Sequence, residues 1–299
     1  MIFSSNFRRG FFNRYHKKMP FVERMMKDLN HLFLWIKNYF ANGFRIRTIL
    51  VFPHYPSRGS TIYKVGKILN ANITNNLNAN FDIGLYWEYA THRVEFEELE
   101  RISENKQILN IQSRDISKIY VDNVFKKVFG YSTFIDPLTF KGNMVQKSDV
   151  NALHDGKIIT GPISEKLENV VYQLVIDNSY GDDLVLDIRV PIIDETLSFV
   201  YLKYRKISER FKNTTVNSDV VPIGSVLTAD EIILLNKYVF ELNLNYGELD
   251  VLRNKDDGRI YIVDVNNTPQ GPPANTAKEE GIRALTEISK TLKSNYFPK

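Results

Sequence analysis

Gly-Glu-Leu-Asp-Val-Leu-Arg-Asn-Lys-Asp-Asp-Gly-Arg-Ile-Tyr-Ile-Val-Asp-Val-Asn-Asn-Thr-Pro-Gln-Gly-Pro-Pro, residues 247–273, is the stretch that decides the fold. Two alternating apolar runs, Glu248–Arg253 and Arg259–Val265, flank the turn residues Asn254-Lys255-Asp256-Asp257-Gly258. That pattern predicts a β-hairpin with a loop of about five residues. Side chains alternate faces along a strand, so Asp264 and Asn266 share one face. If Arg253 pairs with Arg259, Asp250 faces Ile262 and lies diagonal to Asp264. Such diagonals are roughly 7–8 Å apart, within reach of one ion. Asp is a poor strand former, and a carboxylate inside an apolar run needs a partner. Three oxygen donors on one face, followed by a Pro/Gly loop, suit Mg²⁺, which fills its octahedron with phosphate and water oxygens. Asp256 and Asp257 read instead as solvated turn residues.

Asp250 on one strand, then Asp264-Val265-Asn266-Asn267-Thr268-Pro269 on the next, resembles the C-terminal metal-binding signature of the ATP-grasp ligases. That family usually carries Glu where this chain has Asp264. The resemblance implies an α+β fold in which two α+β lobes clamp ATP behind a small α/β substrate-side lobe. It also implies an order of upstream parts, and matching pieces span about residues 115–275.

Arg114-Asp115-Ile116-Ser117-Lys118 opens a helix that runs to Phe129, with Asp115 or Ser117 as N-cap and Gly130 just past its end. A lysine at a helix start opposes the dipole, and a phosphate there would explain it. By resemblance, Lys118 contacts ATP phosphates. Met144–Ser148 looks like the family's strand ending in a phosphate-binding lysine, Lys147. The loop Asp149–Gly156, with His154 and Asp155 as candidates, would fold over the phosphates. Val170–Asp177 would be the linker between the lobes. There Gln173 takes the place of a glutamine found in the subgroup that includes the ribosomal-protein glutamate ligases, and Asp177 would meet the ribose. Leu186-Asp187-Ile188-Arg189-Val190 continues that subgroup's pattern, and Lys203 and Arg205 follow on the next strand. Arg210-Phe211-Lys212-Asn213 resembles its Phe-Arg-x-Asn region in altered order.

Cations on one sheet face repel unless they meet an anion, and Arg grips phosphate bidentately. Lys203, Arg205 and Lys206 also fit a solvated edge strand, and Arg189 also fits an internal ion pair with Asp187. The resemblance implies an ATP- and Mg²⁺-dependent carboxylate–amine ligase working through an acyl phosphate. Asp250, Asp264 and Asn266 would hold the metal. Lys118, Lys147, Gln173 and Asp177 would bind ATP, and Arg189, Lys203 and Arg205 would act at the reacting groups. The alternatives are a kinase acting on a hydroxyl, or a non-catalytic nucleotide-binding scaffold at a membrane surface. The cleft cations point to an acidic substrate: an amino acid, a uronic acid or a peptide. The basic N-terminus would fit a membrane-proximal one, such as a cell-surface glycan precursor.

Composition bounds the rest. With 299 residues, 43% hydrophobic and 25% charged, the chain reads as a globular protein with room for one large domain or two to three lobes, and the resemblance implies lobes. These fall at 1–45, 46–113 and 114–299, the last splitting near residue 170. The absence of cysteine excludes disulfides, thiolate metal sites and a cysteine nucleophile, and fits a reducing cytosol. His16, His31, His54, His92 and His154 lack the spacing of metal ligands. No apolar run approaches the roughly 18 residues of a membrane span. Strands at Arg47–Pro53, Phe81–Tyr89 and Gln107–Ile111, with helices at Thr61–Leu69 and Phe96–Glu104, predict a parallel α/β layer. Ligands bind at strand C-terminal ends in such layers, so His54, Tyr55, Arg58, Trp87 and Glu88 are cleft candidates there.

Residues 1–47 hold ten cations against Glu23 and Asp28, a net of +8, while the whole chain carries +4. From Phe21 to Phe40, apolar residues recur at helical spacing: Phe21, Met25, Leu29, Leu32, Phe33, Ile36 and Phe40. Such a basic amphipathic helix packs on the protein's body, pairs with a second copy, or lies on an anionic membrane as a peripheral contact. No nucleic-acid recognition module is present. Thr228 with Glu231 forms a capping box for a helix to Leu242, and Ala277–Ser294 predicts a last amphipathic helix.

Overall fold

The computed structural model describes residues 20–41 and 43–297. Of these, the residues before Tyr89, Phe96–Ile111 and the residues after Ala284 form one compact unit. Tyr89–Glu95 and Gln112–Ala284 form the other.

The first unit opens with helix α1 (Phe21–Ala41). Trp35 is buried, stacked on Tyr39 at 5.2 Å. Of the expected stripe, Phe21, Met25, Leu29, Phe33, Ile36 and Phe40 are exposed and Leu32 is half-buried. Then come β1 (Thr48–Pro53), α2 (Thr61–Ile68), β2 (Asn72–Thr74), β3 (Ile83–Trp87), α3 (Glu97–Ser103) and β4 (Ile108–Leu109). The strands form a wholly parallel sheet in the order β2-β1-β3-β4. Every residue of β3 is buried, as a central parallel strand covered on both faces requires. The short strand β2 was not expected, because Asn-Ile-Thr shows no alternation to reveal it.

In the second unit, α4 (Lys118–Phe129) is capped by Ser117, whose Oγ accepts from the Tyr120 N–H. It ends on Gly130 at φ 81°, a left-handed position where a Cβ would be strained. Strands β5 (Gly142–Ser148), β6 (Lys157–Gly161) and β7 (Val170–Leu174) make a small antiparallel sheet in the order β6-β5-β7. The remaining strands are β8 (Ser179–Tyr180), β9 (Leu184–Ile193), β10 (Glu195–Thr196), β11 (Phe199–Lys206), β12 (Asn217–Pro222), β13 (Tyr246–Arg253) and β14 (Ile260–Asn266). The main path of this larger antiparallel sheet is β12-β11-β9-β13-β14. Helix α5 (Ala229–Glu241) carries the expected Thr228–Glu231 capping box. Helix α6 (Lys278–Tyr296) closes the chain.

The large sheet is two-faced, as strand alternation demands. Ile188, Val190, Val200, Leu202, Leu249, Val251 and Val265 belong to one core with Val121, Val124 and Phe125 of α4 and Leu235 and Val239 of α5. The intervening positions are polar, and they build the site. No described helix is long and apolar enough to cross a membrane.

Candidate active site

Four strands present the polar face. Arg189 on β9 is the register partner of Tyr201 on β11 and of Asp250 on β13, and Asp250 is the partner of Asp264 on β14. Two residues along each strand, and so on the same face, Lys203 partners Asp187, and Glu248 partners Asn266.

The hairpin register departs from the expected one. Arg253 pairs with Ile260, and a β-bulge falls between Asp250 and Val251, leaving Val263 as the extra residue. Asp250 therefore faces Asp264 directly instead of diagonally. Bulges re-aim side chains beside sites, and this one has two effects. It sets two carboxylates opposite each other, and the Val263 carbonyl accepts from Lys147 Nζ at 3.3 Å.

Two like charges on opposed strand positions are destabilising unless a cation intervenes. Arg189 is that cation. Its Nε donates to Asp250 Oδ1 at 2.8 Å, its Nη2 to Oδ2 at 3.1 Å, and its Nη1 lies 3.4 Å from Glu248 Oε2. Lys203 Nζ stands 3.9 Å from Asp250 Oδ2. Arg189 thus pairs across strands with Asp250 and Glu248, whereas Asp187 is taken by Arg205. Burial opposes ionisation of Asp250, but Arg189 and Lys203 outweigh it and hold its pKa well below the ordinary carboxylate value. Burial also opposes the Arg189 charge, and Asp250 and Glu248 reverse that.

Asp264 differs. Its Oδ1 is buried with no hydrogen-bond partner. Burial pushes its pKa up; Lys118 and Lys147 pull it back, while Asp250 adds to the rise. Beside it, Asn266 Oδ1 accepts from the Thr268 N–H at 2.9 Å and from Thr268 Oγ1 at 3.3 Å, which fixes its direction.

A cavity of about 600 Å³ lies over this face. Its lining includes Lys118, Lys147, Arg189, Lys203, Arg205 and Arg210 against Asp155, Asp187, Asp250 and Asp264, so cations are in excess. Lys118 is buried at the first turn of α4, and its Nζ donates to the Val150 carbonyl at 2.9 Å. Burial lowers the Lys147 pKa to about 8, with Asp264 opposing the change. Burial lowers Lys203 as well, against the pull of Asp250. Each of these lysines lies within a run that sequence alternation or capping made legible.

Gln173 also lines the cavity; its Nε2 donates to Thr133 Oγ1 at 2.6 Å, and Thr133 in turn donates to Asp122 of α4. His154 and Asp155 line it too, with Asp155 accepting from the Ser148 hydroxyl. One candidate for binding ATP falls outside the cavity lining. Asp177 caps a local turn, accepting from the Ser179 N–H at 3.0 Å, and its neighbour Asn178 lines the cavity instead. Lys206 is exposed at the strand end.

Three contributors were given no role of their own by sequence reading. Glu248, 2% exposed, completes the Arg189 clamp. Arg210 reaches the Ile176 carbonyl at 2.9 Å and Asn178 Oδ1 at 3.1 Å. Asn267, 1% exposed, lines the cavity with both side-chain polar atoms unpartnered. Its signal was present: a second Asn beside Asn266 in a Pro-bounded loop.

No protein-family model and no curated protein sequence matches the chain. Its backbone does match solved structures. The D-alanine–D-alanine ligase of Bacillus anthracis complexed with ATP is similar at 16% identity and a TM-score of 0.52, over 85% of this chain and 97% of that one. The ATP-grasp ligase PsnB, complexed with a phosphomimetic variant of its minimal precursor, Mg and ADP, is similar at 10% identity and a TM-score of 0.52, over 84% and 98%. The chain has the ATP-grasp fold.

The ATP-grasp fold directs attention to a metal. Among the described residues, no group of three or more acidic or histidine side chains is arranged to hold one. Mg²⁺ needs no such cage, because one or two carboxylates with phosphate and water oxygens suffice. The orphaned Asp264 Oδ1 and the amide oxygen of Asn266 fit that habit. Asp250, gripped at both oxygens by Arg189, is placed to support Asp264 from the next strand.

Proposed function

We propose that the chain is an ATP-dependent carboxylate–amine ligase that works through an acyl phosphate. One observation carries this reading. A single cavity combines excess cations with a buried carboxylate oxygen that lacks any partner, and it contains no cysteine nucleophile. Phosphoryl transfer needs positioning and charge stabilisation more than covalent chemistry from the protein.

Lys118 and Lys147 each donate to a main-chain carbonyl, so either can turn to phosphate without breaking an ion pair. Val145, Leu174, Ile176 and Leu252 line the same cavity and offer an apolar surface for a base. Arg205 is anchored by Asp187 and by donating to the Arg210 and Lys212 carbonyls, both at 3.0 Å. Anchored in this way, it would hold an acidic substrate or transferring phosphoryl group with little loss of side-chain freedom. When bound, Mg²⁺ held by Asp264 and Asn266 would neutralise charge on the phosphates.

A substrate carboxylate oxygen attacks the γ-phosphorus and the bond to ADP breaks. An amine nitrogen then attacks the acyl carbon, the carbon–oxygen bond to phosphate breaks, and the nitrogen loses a proton. The loop 149–156 carries Asn151, whose Nδ2 donates to the Val265 carbonyl at 3.2 Å. In that position it would exclude water from the acyl phosphate.

The test is a phosphate-release screen of carboxylates against amines, with product mass measured. Amide, ADP and phosphate are expected from at least one pair. A phosphoester product would replace the ligase with a kinase, and ATP binding without turnover across the screen would overturn catalysis altogether.

A further inference from the structure

We propose that α1 lies in the headgroup plane of an anionic membrane. At 3.6 residues per turn, Phe21, Val22, Met25, Met26, Leu29, Phe33, Ile36 and Phe40 fall within one sector of about 140° that no charged residue interrupts. All eight are exposed, from Ile36 at 40% to Phe21 at 68%. An apolar strip that broad is wider than the narrow seam of a coiled coil, and its Phe and Met content is unlike the β-branched and Leu pattern of one.

Charge selects the occupant. Residues 1–20 supply Arg8, Arg9, Arg14, Lys17 and Lys18 without a single acidic residue, interleaved with Phe3, Phe7, Phe11 and Phe12. Arg45 and Arg47, beyond the helix, pair with Asp82 and are not counted. Apolar insertion beside clustered cations is the combination that anionic lipid surfaces recognise. The helix is not apolar enough to cross a membrane, so it binds at the interface. The inference is independent of the catalytic reading.

The experiment is co-sedimentation of the full chain with phosphatidylcholine vesicles and with vesicles of equal parts phosphatidylcholine and phosphatidylglycerol. Binding is expected only to the anionic vesicles, and it should weaken as salt screens the cations. Leu29→Asp with Phe33→Asp should lower the partition coefficient at least about tenfold. Both positions are exposed, so an unchanged unfolding temperature verifies the fold. The proposal is overturned if anionic vesicles do not bind the chain or if the double variant binds equally. It is also overturned if light scattering shows a stable dimer that the double variant dissolves, because a second copy would then cover the stripe.

Discussion

Lys147 offers the sharpest test of the site. Burial brings its ammonium down to about 8 from the 10.5 of a free lysine, with Lys118 adding to the shift and Asp264 opposing it. The folded value lies below the unfolded one, so the unfolded chain binds more protons between those two pH values. Lys147 therefore costs the empty protein stability at pH values below its folded pKa, and the cost fades as pH climbs toward the unfolded value. The side chain is half-buried and borders an open cavity, so the cost is about 1–2 kcal/mol rather than the full converted shift. ATP reverses the preference, because a phosphate favours the ammonium. A hydrogen bond to a charged group contributes about 1.5–3 kcal/mol, equivalent to about tenfold to a hundredfold in affinity. The assay is ATP binding by calorimetry from about pH 6.5 to about pH 9.5. The dissociation constant should stay flat at low pH, then rise by up to about tenfold per unit above the pKa. Lys147→Arg, which keeps its charge, should flatten the curve. Lys147→Met should bind ATP weakly at every pH, yet melt higher than the parent without ATP. Parallel pH curves for the parent and the arginine variant, or full ATP affinity in the methionine variant, would refute the reasoning.

Asp264→Asn should abolish ATP turnover, lowering it at least about a thousandfold if the metal's bridge to phosphate is lost. It should raise the melting temperature of the empty protein, since the raised carboxyl pKa means that the folded state resists ionisation. Mg²⁺ with ADP should raise the parent's melting temperature and leave that variant's unchanged. Arg189→Met would strand Asp250 and Glu248 without their cation, and urea denaturation should show a loss of about 3–5 kcal/mol. Thr228→Ala removes the capping box of α5 and should cost about 1 kcal/mol with turnover unchanged.

The larger elements were legible because each wrote its period into the sequence. The parallel sheet, the Ser117-capped helix, the Thr228–Glu231 capping box and the hairpin all followed from alternation, caps and turn residues. The hairpin register was not legible. A bulge adds one residue without changing the apolar pattern on either side, so Val263 reads like any other strand residue. The partners of Arg189 were hidden for a related reason. Asp187 is near in sequence, but Asp250 stands opposite Arg189 on the adjacent strand, and only the sheet order β9-β13 reveals that. Asp177 was placed at the ribose by resemblance alone, and in the structure its Oδ1 accepts from the Ser179 N–H. Residues 1–19 lie outside the described structure, and the stripe of α1 was legible while its exposure was not.

The polar face is best understood as a charge balance left deliberately short. Asp250 and Asp264 sit at opposed strand positions, where two carboxylates would repel. Arg189 grips the first through both oxygens, and the second keeps a buried oxygen without a hydrogen bond. On the facing sheet, Lys147 is held near a carbonyl and pushed toward its neutral form by the same lack of water. Each group is strained in the empty protein in the sense that would be relieved by the other's missing partner: a cation for Asp264, an anion for Lys147. A metal-bound polyphosphate supplies both at once. A lone cation or a lone anion would relieve one group and worsen the other, so the two defects together favour the ion pair as ligand. Stability given up at such positions is the usual accompaniment of a binding site. Here it specifies which combination of charges the cavity should accept.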